Sequence, residues 1–125
     1  MLNLATVTAD GRPLIGPVDG IFYRGEWYFG SSPDSVRFRH IRTRPAVSAS
    51  YTVGERLAVI VHGEAHDIDL KAPEHAGYRE YLRAVYLPTQ GPDFLEFADA
   101  NLAAKITAHK MFCYWNPEGL PPKDI

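Results

Sequence analysis

The sequence predicts a mainly β fold, a small antiparallel barrel of six strands with helices at its periphery. Three features point there. Short β-branched and aromatic runs follow one another at hairpin spacing, broken by Asp-Gly, Arg-Gly and single glycines. One helical segment is inserted after the third run. A last β-rich run returns only after a helical stretch. Many short antiparallel strands suit a closed barrel better than an open sheet, because closure leaves no edge unpaired.

The elements follow in order. Asn3 to Thr8 is β-rich, and Ala9-Asp10-Gly11-Arg12-Pro13 behind it is a hairpin turn. Leu14 to Tyr23 reads as the second strand. Gly16, Pro17 and Gly20 inside it mark a bulge, an edge or a close backbone approach. Arg24-Gly25 turns the chain into Glu26 to Gly30, a short aromatic strand with Trp27, Tyr28 and Phe29, read as core. Ser32 suits an N-cap, with Pro33 at the first helical position and Asp34 in the first turn. That helix runs over residues 33–43 and stops before Arg44-Pro45. Ala46 to Val53 and Leu57 to Ile68 are two strands joined at Gly54. From Pro73 onward Tyr78, Tyr81, Leu82 and Val85 recur at helical spacing. Pro88 to Pro92 reads as a loop, Asp93 to Leu102 as a short helix, Ala104 to Trp115 as the closing strand, and Asn116 to Ile125 as an extended tail.

Composition narrows the function classes. A chain of 125 residues with 46% apolar content fits one domain, residues 1–125, with a core of its own. A formal net charge of −2 argues against nucleic acid, whose phosphates demand a large basic footprint. The longest apolar runs, such as Leu57 to Val61, are too short to span a bilayer, and no signal peptide is expected. Cys113 is the only cysteine, which excludes an internal disulfide and suits a reducing cytoplasm.

The densest chemical feature is Ser35-Val36-Arg37-Phe38-Arg39-His40-Ile41-Arg42-Thr43-Arg44, which carries four arginines and no acid. It follows a helix start rich in Ser31, Ser32 and Ser35. Hydroxyls, free backbone N–H groups and guanidinium forks together suit a phosphate. The alternative is a solvated helix whose Phe38 and Ile41 face the core. His62 and His66 would suit a metal on a helix. On a strand, at ~3.3 Å per residue, they stand roughly 13 Å apart, too far to share one. No metal site is expected. Cys113 has no partners that would make it a nucleophile and reads as a buried small hydrophobe. Asp67, Asp69 and Glu74 read as a solvated turn, and Trp115 as either core or a ring flank.

Leu4 to Pro13 resembles the opening hairpin of the pyridoxamine 5′-phosphate oxidase-like family. Pro17-Val18, Trp27-Tyr28-Phe29-Gly30, Ser35 to Pro45 with Val47-Ser48, and His62-Gly63-Glu64-Ala65 fit its next elements in order. The resemblance covers residues 4–70 well and the remainder weakly. It implies a six-stranded antiparallel split β-barrel with peripheral helices, and a homodimer with two flavin sites at its interface. It also implies that Ser35 and Arg37 hold the flavin phosphate, with Arg39 and His40 beside them; Ser31 and Ser32 join the candidate site from the composition of the helix start alone. The backbone of Ile15, Gly16, Pro17 and Val18 would lie near the flavin ring. The chain departs from the oxidase itself at Val36 and Ala58 and lacks its arginine-rich C-terminus. The departures speak against vitamin B6 oxidation and suit the related flavin and deazaflavin reductases.

The resulting expectation is an oxidoreductase using FMN, or a deazaflavin, on a small-molecule substrate, with no partner in nucleic acid or membrane. The flavin performs the electron transfer, so no catalytic side chain needs to be named. The rival readings are a non-catalytic flavin or haem protein for storage or sensing, and a ligand-free interaction domain.

Overall fold

The computed structural model describes residues 1–93, 98 and 101–119. The strands are β1 (Leu2–Val7), β2 (Pro13–Tyr23), β3 (Glu26–Ser31), β4 (Ala46–Val53), β5 (Leu57–Ile68) and β6 (Leu102–Trp115). Helix α1 (Val36–Thr43) follows β3, and helix α2 (Ala76–Gln90) follows a 3-10 turn at Pro73–His75. Every pairing is antiparallel, and the strands close in the order β1-β2-β3-β6-β5-β4. The expected six-stranded antiparallel barrel is therefore the observed one.

Three local expectations are corrected. The cap of α1 is Ser35 rather than Ser32: its Oγ accepts from the Phe38 N–H at 3.4 Å. Ser32 instead opens a tight turn, its carbonyl accepting from the Ser35 N–H at 3.0 Å, so the chain makes one more bend before it coils. Pro88 lies inside α2 rather than in a loop. Its ring deprives the Ala84 carbonyl of a helical donor, but Ala84 is exposed, so water can supply one. Cys113 is exposed rather than buried. The helix expected over Asp93–Leu102 and the extended tail fall largely outside the described residues; Leu102 already belongs to β6, and Asn116 to Gly119 forms a turn.

Alternation explains the core. Leu2, Leu4 and Thr6 of β1 are inward positions and are buried, as are Val47 and Ala49 of β4 and Val61 and Ala65 of β5. Trp27, Tyr28 and Phe29 are buried although neighbours on a strand face opposite ways. Both faces of β3 must therefore be covered. Trp27 and Phe29 enter the barrel core with Phe38 and Ile41 of α1. Tyr28 points outward, where α2 meets it: the Tyr78 ring stacks on it at 4.0 Å, and Leu82 and Ile21 complete that second cluster.

Closure is tight where β5 meets β6. The register shifts between His62 and Gly63, leaving His109 as the extra residue. A Cβ on Gly63 would sit 2.1 Å from the Thr107 carbonyl oxygen, so only glycine fits there. Beyond the shift, Leu57 to Val61 pairs with Met111 to Trp115 on one side and with β4 on the other. Phe112, Cys113, Tyr114 and Trp115 are successive and all exposed, so neither face of β6 is covered at this end. That is why Cys113, expected in the interior, lies on the surface.

Candidate functional site

Helix α1 places the basic run against the barrel. Phe38 and Ile41 anchor it in the core, and at about 100° per residue that fixes the directions of Arg37, Arg39 and Arg42. Arg37 falls toward β2. It donates from Nη1 to Ser31 Oγ at 3.0 Å and from Nη2 to the Pro17 carbonyl at 3.4 Å. Arg39, two positions on, stands about 200° round the helix from Arg37 and is exposed. Arg42 pairs with Asp67 at 3.2 Å, and Arg44 donates to the Val7 carbonyl at 2.9 Å.

Arg37 differs from Arg42, which Asp67 neutralises, from Arg39, which is exposed, and from Arg44, which donates to a backbone carbonyl at the far end of α1. Both its partners are neutral, and among the described residues no carboxylate pairs with it. The first turn of α1 carries no acid either. A half-buried guanidinium with spare donors and no counter-ion suits an anion that arrives from outside.

The groove before it is lined by aliphatic side chains with one glycine and one hydroxyl. A Cβ on Gly16 would come within 3.2 Å of Arg37 Nη2, so the glycine lets the guanidinium lie down on β2. Arg37 and Gly16, with Leu4, Thr6, Leu14 and Ile15, line a cleft of about 370 Å³. Ile15 and Val36 stand exposed at its rim. Inside, Thr6 is buried, and its Oγ1 meets His40 Nδ1 at 2.8 Å.

Of the residues read from the sequence, the fold gathers Arg37, Gly16, Pro17, Ile15 and Ser31. Ser35 stands at the same end as the cap of α1. His40 approaches through Thr6, while Ser32 is exposed at the turn and Val18 is buried in the core. Arg39 is not brought in. Thr6 was missed; its signal was a hydroxyl at an inward position of a strand otherwise lined by leucine. The remaining histidines lie elsewhere. His62 meets Ser48 Oγ at 2.6 Å, and His66 and His109 flank Glu64 at 3.9 and 3.8 Å. Among the described residues no group of three potential ligands is placed to hold a metal.

A second cavity of about 380 Å³ lies on the outer face of β2 and β3, under α2. Ser31, the partner of Arg37, is also part of its wall. At its edge the Tyr86 hydroxyl donates to Asp19 Oδ2. Burial first, then the Asp19 carboxylate, push the Tyr86 phenol well above its ordinary range, so it stays protonated.

No family model matches the sequence, and no curated protein does. Solved structures do. A conserved hypothetical protein of Mycobacterium tuberculosis is 20% identical with a TM-score of 0.73, over 99% of this chain and 82% of that one. The haem storage protein HutZ of Vibrio cholerae is 14% identical with a TM-score of 0.73, over 91% and 84%. A pyridoxamine 5′-phosphate oxidase-related, FMN-binding protein of Nostoc punctiforme is 15% identical with a TM-score of 0.64, over 90% and 73%. Likeness at such identity shows the fold: this chain has the barrel shared by FMN-binding and haem-storage proteins.

Proposed function

We propose that this protein binds FMN at the Arg37 cleft and acts as a flavin-dependent oxidoreductase on a small-molecule substrate. The observation that carries the reading is the Arg37 guanidinium lying on the Gly16–Pro17 backbone and paired with no carboxylate among the described residues. A phosphate fits that donor set, with Ser31 and Ser35 supplying hydroxyls and the start of α1 free N–H groups. The strand backbone of Ile15 to Val18 would receive the ring, since Gly16 and Pro17 present no bulky side chain over it. A deazaflavin shares the ring-plus-phosphate plan and suits the same groups. When bound, the flavin supplies hydride or electron transfer; the protein binds, orients and excludes water.

The reading includes a homodimer and a cytoplasmic location. The uncovered end of β6 exposes Phe112 at 47%, Tyr114 at 48% and Trp115 at 63%, on both faces, and a second copy would cover it. No helix among the described residues is long and apolar enough to cross a membrane.

The test is the absorbance spectrum of the freshly purified protein, followed by turnover with a reduced nicotinamide. A flavin or deazaflavin spectrum with turnover is the expected result. A bound flavin without turnover, or a haem spectrum, would move the protein to storage or sensing. A colourless protein that takes up no added FMN would overturn the reading.

A further inference from the structure

The cavity beneath α2 is separate from the Arg37 cleft, and its chemistry is different. Ile21, Leu70, Leu82 and Leu102 form its apolar walls, with the rings of Tyr78 and Tyr86 beside them. Among the described lining residues Asp19 is the only charged one. Its Oδ2 accepts from Tyr86, and among the described residues no cation pairs with the carboxylate. The Tyr86 phenol holds its proton and serves the carboxylate as a neutral donor. Mostly apolar walls with a few convergent polar groups are the usual composition of a small-molecule site, and about 380 Å³ lies in the usual size range.

We propose that this cavity binds a small apolar cation, such as an aromatic or aliphatic amine, its ammonium on Asp19 and its body between α2 and the β2–β3 sheet. The apolar body buries against leucine and tyrosine side chains, and the ammonium donates to the carboxylate and faces the tyrosine rings. An anionic ligand meets no described cation in the walls, so a phosphorylated or carboxylated molecule is disfavoured here. Ser31 joins the two sites: its hydroxyl accepts from Arg37, and it also lines this cavity. The cavity is thus placed to present a cationic substrate beside whatever anion Arg37 holds, although its own occupancy does not depend on that anion.

The test uses three probes of one shape: benzylamine, benzyl alcohol and benzoate. Each is titrated against the full chain at neutral pH and one ionic strength, followed by amide chemical shifts. Benzylamine is expected to bind tightest, with shifts centred on Asp19, Leu82 and Tyr86, and benzoate not at all. Asp19→Asn removes the charge at nearly constant shape and should lower benzylamine affinity about tenfold or more, to the level of benzyl alcohol. Leu82→Trp, which fills the cavity, should abolish binding of both. If that variant fails to fold, Asp19→Asn alone decides. An unchanged preference for benzylamine in Asp19→Asn, equal binding of the three probes, or shifts centred elsewhere would overturn the proposal. The flavin titration of the parent chain reports on Arg37 alone, so either idea can fail without the other.

Discussion

Arg37 and Arg42 carry the same charge on the same helix, and what separates them is what each guanidinium touches. Arg42 is neutralised by Asp67 on the surface, whereas Arg37 rests on a hydroxyl and a carbonyl beside a glycine. Gly16→Val tests that packing. A Cβ there would press on Nη2, the free end of a flexible side chain, so the arginine can move and the fold should survive. The expected outcome is a melting temperature within a few degrees of the parent together with clearly weaker FMN binding, read by calorimetry and fluorescence. Unchanged binding would remove β2 from the site. The basic run was legible in the sequence, and the family resemblance singled out Arg37 but set Arg39 beside it. Which of the two faces the cleft depends on the phase of the helix, which Phe38 and Ile41 set by entering the core. Counting 100° steps from those two apolar positions separates Arg37 from Arg39. Neither Thr6 nor Asp19 was legible as a site residue, because each gains its meaning from a neighbour more than thirty positions away: His40 for one, Tyr86 for the other.

At the scale of elements, the start of α1 is fixed by Ser35. Ser35→Ala loses the side-chain acceptor for the Phe38 N–H and should cost about 0.5–2 kcal/mol, seen as a lower denaturant midpoint at unchanged slope. The junction of β5 and β6 is less forgiving. Gly63→Ala drives a methyl into the Thr107 carbonyl, which is backbone and cannot swing aside. That variant should be recovered unfolded or strongly destabilised, and a near-native melting curve would show the register shift to be misplaced. Helix α2 gives a pH signature. Burial raises the phenol pKa of both Tyr78 and Tyr86 above the ordinary 10.0, so the folded state holds these protons more tightly than the unfolded chain. Their contribution is present in full below pH 10 and is lost as pH rises beyond it. Stability should therefore fall on the alkaline side, and Tyr86→Phe should make the fall shallower. The strands and both helices were legible because alternation and helical spacing are local signals. The exact cap was not: Ser32-Pro33-Asp34 is as good a helix opening as Ser35, and the Ser32–Ser35 turn decides between them.

The described residues form a closed barrel in which one end of β6 is left uncovered. Barrel closure could be anticipated from the number and shortness of the strands. The uncovered end of β6 could not, because Ala104 to Trp115 reads only as a closing strand, with Trp115 either core or a ring flank, and the exposure of Phe112, Tyr114 and Trp115 depends on where β5 and β6 pair. If a second copy covers them, light scattering at micromolar concentration should give twice the 14.0 kDa chain mass. Trp115→Asp should return the value to that of one chain and weaken flavin binding with it. A parent protein of single-chain mass would remove the dimer. Flavin binding at this cleft requires Arg37 to hold an anion of the flavin, which is measured directly by titration of FMN by fluorescence into the parent, Arg37→Ala and Arg42→Ala proteins at one ionic strength. A charge-assisted hydrogen bond contributes about 1.5–3 kcal/mol, so Arg37→Ala should raise the dissociation constant roughly ten- to hundredfold. Salt would draw the effect toward the lower figure. Arg42→Ala should stay within a few-fold of the parent. Equal affinities for the parent and Arg37→Ala would contradict the account and take the basic helix out of the site.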